Sequence, residues 1–109
     1  MNQQFSSGDE MLQVLSVLAN PHRLRILSAL TGGRNYVSQL ARELGISRPL
    51  LHMHLKRLEA AGLILGKLEL SDEGKAMKYY DVVPFVIHLT PELITELVNS
   101  LSSDLSESL

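Results

Sequence analysis

The chemistry open to this chain lies in its histidines and its cations. Histidines stand at 22, 52, 54 and 88, and there is no cysteine. That excludes a disulfide framework, thiolate zinc or iron–sulfur sites and cysteine nucleophiles. His52 and His54 are neighbours i and i+2 in a helical pattern, where side chains point ~200° apart, so they cannot share an ion. His22 and His88 have no ligand pattern around them. No metal and no other cofactor is expected. The 109 residues hold no glycine-rich phosphate loop, nucleophile motif or convergent acid pair, so an enzyme is not expected.

The cations form a pattern. The net charge is −2. Yet Arg23, Arg25, Arg34, Arg42, Arg48, Lys56, Arg57, Lys67, Lys75 and Lys78 all fall between residues 21 and 80, against five acids. That stretch is +5 and the flanks are −7. A basic middle between acidic ends points to an anionic partner for the middle and a different task for the ends. Solvated charges distributed by chance are the competing reading. Met1 to Glu10 is polar and acidic, without the apolar core of a signal peptide, and no run nears the ~18 apolar residues of a membrane span. A cytoplasmic chain with no membrane partner is the expectation.

Positioning those cations falls mainly to helices. Residues 1–8 read as a flexible tail. From Asp9 onward Met11, Leu12, Leu15 and Leu18 recur at helical spacing, until Asn20-Pro21 interrupts them. Asn20 suits an N-cap and Pro21 the first position of a second helix, Pro21 to about Thr31, with Leu24, Ile26, Leu27 and Leu30 inward and Gly32-Gly33 at its end. A short third helix, about Tyr36 to Leu44, closes at Gly45. Gly45-Ile46-Ser47 links it to a fourth, Arg48 to about Ala61. Pro49 sits in the first turn of that helix and leaves the Leu50 N–H as the partner for a capping Ser47 hydroxyl. After Gly62 the period drops from 3.6 to 2. Ile64–Leu70 and Met77–Val83 read as a hairpin around Ser71–Gly74. Thr90-Pro91-Glu92 opens a last helix with the stripe Ile94, Leu97, Val98, Leu101 and Leu105. A short helix, a tight turn, a polar-faced helix and a hairpin make a winged helix-turn-helix, mainly α with a β-hairpin wing, an α+β class.

With that order in place, the chain resembles the ArsR-like winged-helix transcriptional regulators. Leu18-Ala19-Asn20-Pro21-His22-Arg23-Leu24-Arg25-Ile26-Leu27 is similar to that family's opening helix. Val37 through Ser47 is similar to its first motif helix and turn. Leu51 through Ile64 resembles the recognition helix and the entry to the wing, and Gly74-Lys75 through Lys78-Tyr79-Tyr80 the returning wing strand. The resemblance implies residues 9–83 as a DNA-binding domain and residues 84–109 as a linker and dimerisation helix. The family's thiolate metal sensors carry cysteines in the first motif helix, and this chain has none; sensing by that route is absent, and any effector is unknown. The terminal segment is longer than a minimal winged helix needs, and in relatives terminal helices build the homodimer.

On the fourth helix Leu51, Leu55 and Leu58 mark the inner face. The outer face is polar, basic and small at its start, as entry into a major groove requires. Arg48, Pro49, His52 and Met53 are the expected base contacts: Arg48 for guanine, Pro49 and Met53 for a thymine methyl. Lys56, Arg57 and Arg42 are expected on phosphates, which position without specifying. Lys67, Lys75 and Lys78 would make the hairpin a wing over backbone or minor groove. His54 flanks the core as a hydrogen-bonded packing residue, and Arg23 and Arg25 brace the core or face solvent. One of Tyr79 and Tyr80 is inward. Leu50 and Met53 would instead serve a protein interface if this were an interaction module of a transcription or replication assembly, the rival reading. Structured RNA is a weaker third.

The stripe Ile94, Leu97, Val98, Leu101 and Leu105 either packs on Met11, Leu12 and Leu15 of its own chain or pairs across a two-fold axis; pairing is the expectation. A pair would present two recognition helices about one helical turn, ~34 Å, apart on a near-palindromic site. The resulting reading is a sequence-specific double-stranded DNA-binding regulator acting as a homodimer, with repression as the family's habit.

Overall fold

Proline and capping residues set the helix starts. The structure is a computed structural model that describes residues 5–102. It contains helices α1 (Gly8–Leu18), α2 (Pro21–Thr31), α3 (Val37–Leu44), α4 (Arg48–Ala60) and α5 (Pro91–Val98), and strands β1 (Asn35–Tyr36), β2 (Ile64–Leu70) and β3 (Ala76–Val82). Asn20, Ser47 and Thr90 each accept a hydrogen bond from the backbone N–H three residues on, with a proline in the first turn. The Ser47 hydroxyl takes the Leu50 N–H at 3.3 Å, as the position of Pro49 requires. Between α3 and α4, Gly45 adopts φ 67°, a left-handed conformation that closes α3 and that a side chain would strain.

The chain divides into two units, residues 17–84 and a second made of the two terminal segments, residues 1–16 and 85–109. In the first, Ile26, Leu30, Leu40, Leu51, Leu55, Leu58 and Ile64 are fully buried. β1, β3 and β2 form an antiparallel sheet in that order, with Gly66 opposite Tyr80, Lys67 opposite Tyr79 and Leu68 opposite Lys78. The two-residue β1, paired to Tyr79 and Tyr80, is too short to leave a periodic signal. Tyr80 is the inward tyrosine, and Tyr79 is half-buried.

Leu24 departs from the expectation of an inward position: it is 53% exposed. The buried face of α2 is built on Ile26, Leu27 and Leu30. At 100° per residue its middle passes through Arg23, not Leu24. An arginine therefore holds the place that hydrophobicity alone assigns to a leucine.

In the terminal unit the Ser7 hydroxyl accepts the Glu10 N–H at 3.1 Å at the start of α1. The Gly8 N–H donates to Ser100 Oγ at 2.6 Å, and Asp9 Oδ1 accepts the Ser102 N–H at 2.9 Å. The last helix is shorter than its apolar stripe: α5 ends at Val98, and Leu101 follows it. Ser100 is the physical reason. Its N–H and its hydroxyl both donate to the Leu97 carbonyl, at 3.0 and 2.9 Å, so the side chain competes with the next helical turn. Met11, Val14 and Leu97 are buried, Leu12, Leu15 and Leu101 half-buried, and Ile94 and Val98 are 40% and 48% exposed. Leu105 lies outside the described residues.

Candidate nucleic-acid interface

Helix α4 separates two chemistries by period alone. Leu51, His54, Leu55 and Leu58 are buried, whereas Arg48, Pro49, His52, Met53, Lys56 and Arg57 are exposed. All ten residues expected to touch DNA, the six just named with Arg42, Lys67, Lys75 and Lys78, are exposed.

The sheet brings some of them together. Glycine at 66 leaves room for side chains of β3 and α4 to lie over β2. A Cβ there would stand 2.5 Å from Lys78 Cε, 3.0 Å from Tyr80 Cε1 and 3.2 Å from Glu59 Oε2. Lys78 thus reaches over the sheet toward α4, its Nζ 5.4 Å from the centre of the Tyr80 ring. His52, Lys56, Glu59, Lys78 and Tyr80 line one open depression of about 280 Å³. A second, of about 230 Å³, is walled by Ser38, Arg48, His52, Met77 and Lys78. Met53, Lys56 and Arg57 border a third on the other flank of α4. The hairpin and α4 therefore share one concave surface carrying Arg48, Lys56 and Lys78, and among the described residues no carboxylate lies within ion-pair distance of any of them. That is a surface able to hold a polyanion's backbone while α4 presents His52 and Met53 beyond it.

Other expected residues lie apart. Arg42 occupies the last turn of α3. Lys75 sits at the hairpin turn, its backbone N–H held by Ser71 Oγ at 3.1 Å. Lys67 pairs with Tyr79 and so lies on the opposite sheet face from Lys78, which pairs with Leu68. On that outer face Arg34 stacks over the Tyr79 ring at 4.3 Å and bonds Glu69 at 2.6 Å. This hydrogen bond lowers the Glu69 pKa and raises that of Arg34. Neither Arg34 nor Ser38 stands out in the sequence. Arg34 owes its place to the pairing of the adjoining β1 with β3, Asn35 opposite Tyr80, and its hydrogen bond reaches Glu69 across 35 residues of chain. Ser38 owes its place only to its position in the first turn of α3.

The inner side of α4 is polar at one point. The Arg23 Nε donates to His54 Nδ1 at 3.1 Å, and its Nη1 donates to the Val17 carbonyl at 3.2 Å. His22 lies beside the pair, ring centroids 5.2 Å apart. His54 is 2% exposed, and its buried Nε2 has no hydrogen-bond partner among the described residues. Burial, then the charges of Arg23, His22 and Arg57, hold its pKa below the ordinary 6.5. His54 is a hydrogen-bonded packing residue, as its place flanking the inner face of the helix implied. Among the described residues no three His, Asp or Glu side chains converge on a metal position, and no helix is long and apolar enough to cross a membrane.

Comparison with known proteins adds four likenesses. Residues 20–65 match the family described as bacterial regulatory protein, arsR family. Over 88 residues the chain is 32% identical to an uncharacterized HTH-type transcriptional regulator of Methanocaldococcus jannaschii, covering 81% of this chain and 92% of that protein. It is 40% identical over 62 residues to the HTH-type transcriptional regulator CmtR of Mycobacterium bovis, spanning 57% of this chain and 49% of that protein. Among solved structures it is similar to a homodimeric winged helix-turn-helix DNA-binding domain from Mycobacterium bovis, with a TM-score of 0.62, 27% identity and 75% of each chain covered.

Proposed function

The chain belongs to the ArsR family of bacterial regulatory proteins, and from that premise we propose that it is a transcriptional regulator that binds a specific double-stranded DNA site as a homodimer and represses by occluding a promoter. Arg48, Pro49, His52 and Met53 read bases in the major groove. Arg42, Lys56, Arg57, Lys67, Lys75 and Lys78 meet backbone or minor groove. Residues 9–83 make up the DNA-binding part and residues 84–109 the linker and pairing helix. The pairing surface joins the Met11, Leu12 and Leu15 side of α1 to Ile94, Leu97, Val98, Leu101 and Leu105. Exposed Ile94 and Val98, at 40% and 48%, supply unpartnered apolar area there.

The single observation that carries the reading is the concave surface on which Lys78 of the wing joins Arg48, His52 and Lys56 of the recognition helix. The test is binding to random and genomic duplexes between about 50 and 200 mM salt, where a protein holding several phosphates loses affinity steeply. Enrichment of a near-palindromic site is the expected result. Weak, unselective binding that is indifferent to Lys56→Glu overturns it and favours the protein-interaction module.

A further inference from the structure

The basic surface does not account for the composition of the wing. Beyond Gly66, strand β2 leaves the core, and Leu68 and Leu70 are 71% and 74% exposed, more than any other large apolar side chain described. Register places both on one sheet face. Leu68 stands opposite Lys78 and Leu70 opposite Ala76, on the face that holds Gly66 and Tyr80. Leu65 lies on the other face with Lys67 and Tyr79. The two leucines thus prolong, away from the core, the same surface on which Lys78 joins His52 and Lys56.

Their surroundings select the kind of partner. Lys78 stands directly across from Leu68, and Lys75 precedes Ala76, the partner of Leu70. The nearest acid on β2, Glu69, points to the other face and is held by Arg34 at 2.6 Å. Asp72 and Glu73 occupy the turn, so the strand's flank, not its tip, is the side suited to an anion. An aliphatic pair bordered by lysines matches a groove with apolar sugar walls beneath a phosphate rim. At about 3.3 Å per residue the leucines lie about 7 and 13 Å beyond Gly66. A major groove is about 12 Å wide, so they reach its wall when α4 lies inside.

We propose that Leu68 and Leu70 enter the minor groove adjoining the major groove occupied by α4 and rest on deoxyribose and base edges, with Lys75 and Lys78 on the bordering phosphates. The inference rests on the DNA-binding reading above and adds an apolar contact to it. Apolar contacts release no counterions, so they add affinity without steepening its dependence on salt.

The experiment uses the full chain and a duplex that it has itself enriched from a random pool. Leu68→Ser/Leu70→Ser is expected to weaken binding about tenfold with the log–log salt slope unchanged, while Lys78→Ala flattens the slope by about one unit. Hydroxyl-radical footprints of the double variant are expected to lose sugar protection at the flanks and keep it at the centre. Leu65→Ser, on the other face, is expected to bind as the unsubstituted chain does, and circular dichroism checks that each variant folds. Unaltered affinity in the double variant, or unaltered flanking protection, overturns the proposal while leaving DNA binding standing. So does a change in sedimented mass, which makes the leucines a contact between copies. If the unsubstituted chain enriches no duplex, both readings fall together.

Discussion

His52 and His54 are two residues apart on one helix and live in opposite environments. His52 shares an open depression with Lys56 and Lys78. His54 is buried, accepts from Arg23 and has one nitrogen without a partner among the described residues. The difference comes from helical period alone, and it teaches that α4 is two surfaces joined back to back. One is built for a ligand and tolerates unpaired cations. The other is built for packing and admits a polar group only where α2 supplies a donor.

Substitutions should separate these surfaces. The largest effect is expected from Lys56→Glu/Arg57→Glu, which reverses two charges on the outer side. Duplex affinity should fall at least about a hundredfold, by fluorescence anisotropy, with the helical signal kept. If stability fell instead, the division into two surfaces would be wrong. On the inner side His54→Ala leaves a cavity and removes the acceptor of the Arg23 Nε–H, and should cost about 2 to 3 kcal/mol in urea unfolding.

The inner side should also carry a pH signature. The folded-state pKa of His54 is depressed below 6.5 by burial and by Arg23, His22 and Arg57. Below that value the unfolded chain binds a proton that the folded chain resists. The stability due to His54 is therefore complete above pH 6.5 and is lost as pH falls through the folded-state value. Urea midpoints at about pH 7.5 and 5.5 should differ more for the unsubstituted chain than for His54→Ala. The smallest effect belongs to His52→Ala. Its stability should stay within about 0.5 kcal/mol, with affinity down about fivefold. An equal loss of stability from both histidine variants would erase the contrast.

Much of this contrast is legible in the sequence, because a 3.6-residue period assigns Leu51, Leu55 and Leu58 to one side and the cations to the other. Capping chemistry was equally legible at Asn20, Ser47 and Thr90. Long-range pairing was not. That Lys67 and Lys78 fall on opposite sheet faces depends on register, and the two-residue β1 exists only because β3 is there to receive it. Leu24 was misplaced because a hydrophobic tally cannot see an arginine turned inward toward a histidine 31 residues away. The stripe running past Val98 overstated α5, since local apolar spacing is blind to a serine that claims the preceding carbonyl.

The close approach at Gly66 has a consequence for how the gene tolerates change. Its backbone is not in the left-handed region, so conformation alone would accept many residues. What restricts them is the Lys78, Tyr80 and Glu59 side chains, with atoms within 3.2 Å of where a Cβ would stand. In a library of random substitutions selected for activity, position 66 should therefore be more depleted than Leu65 beside it but less than the fully buried Leu55, because the ends of the Lys78 and Glu59 side chains can move aside.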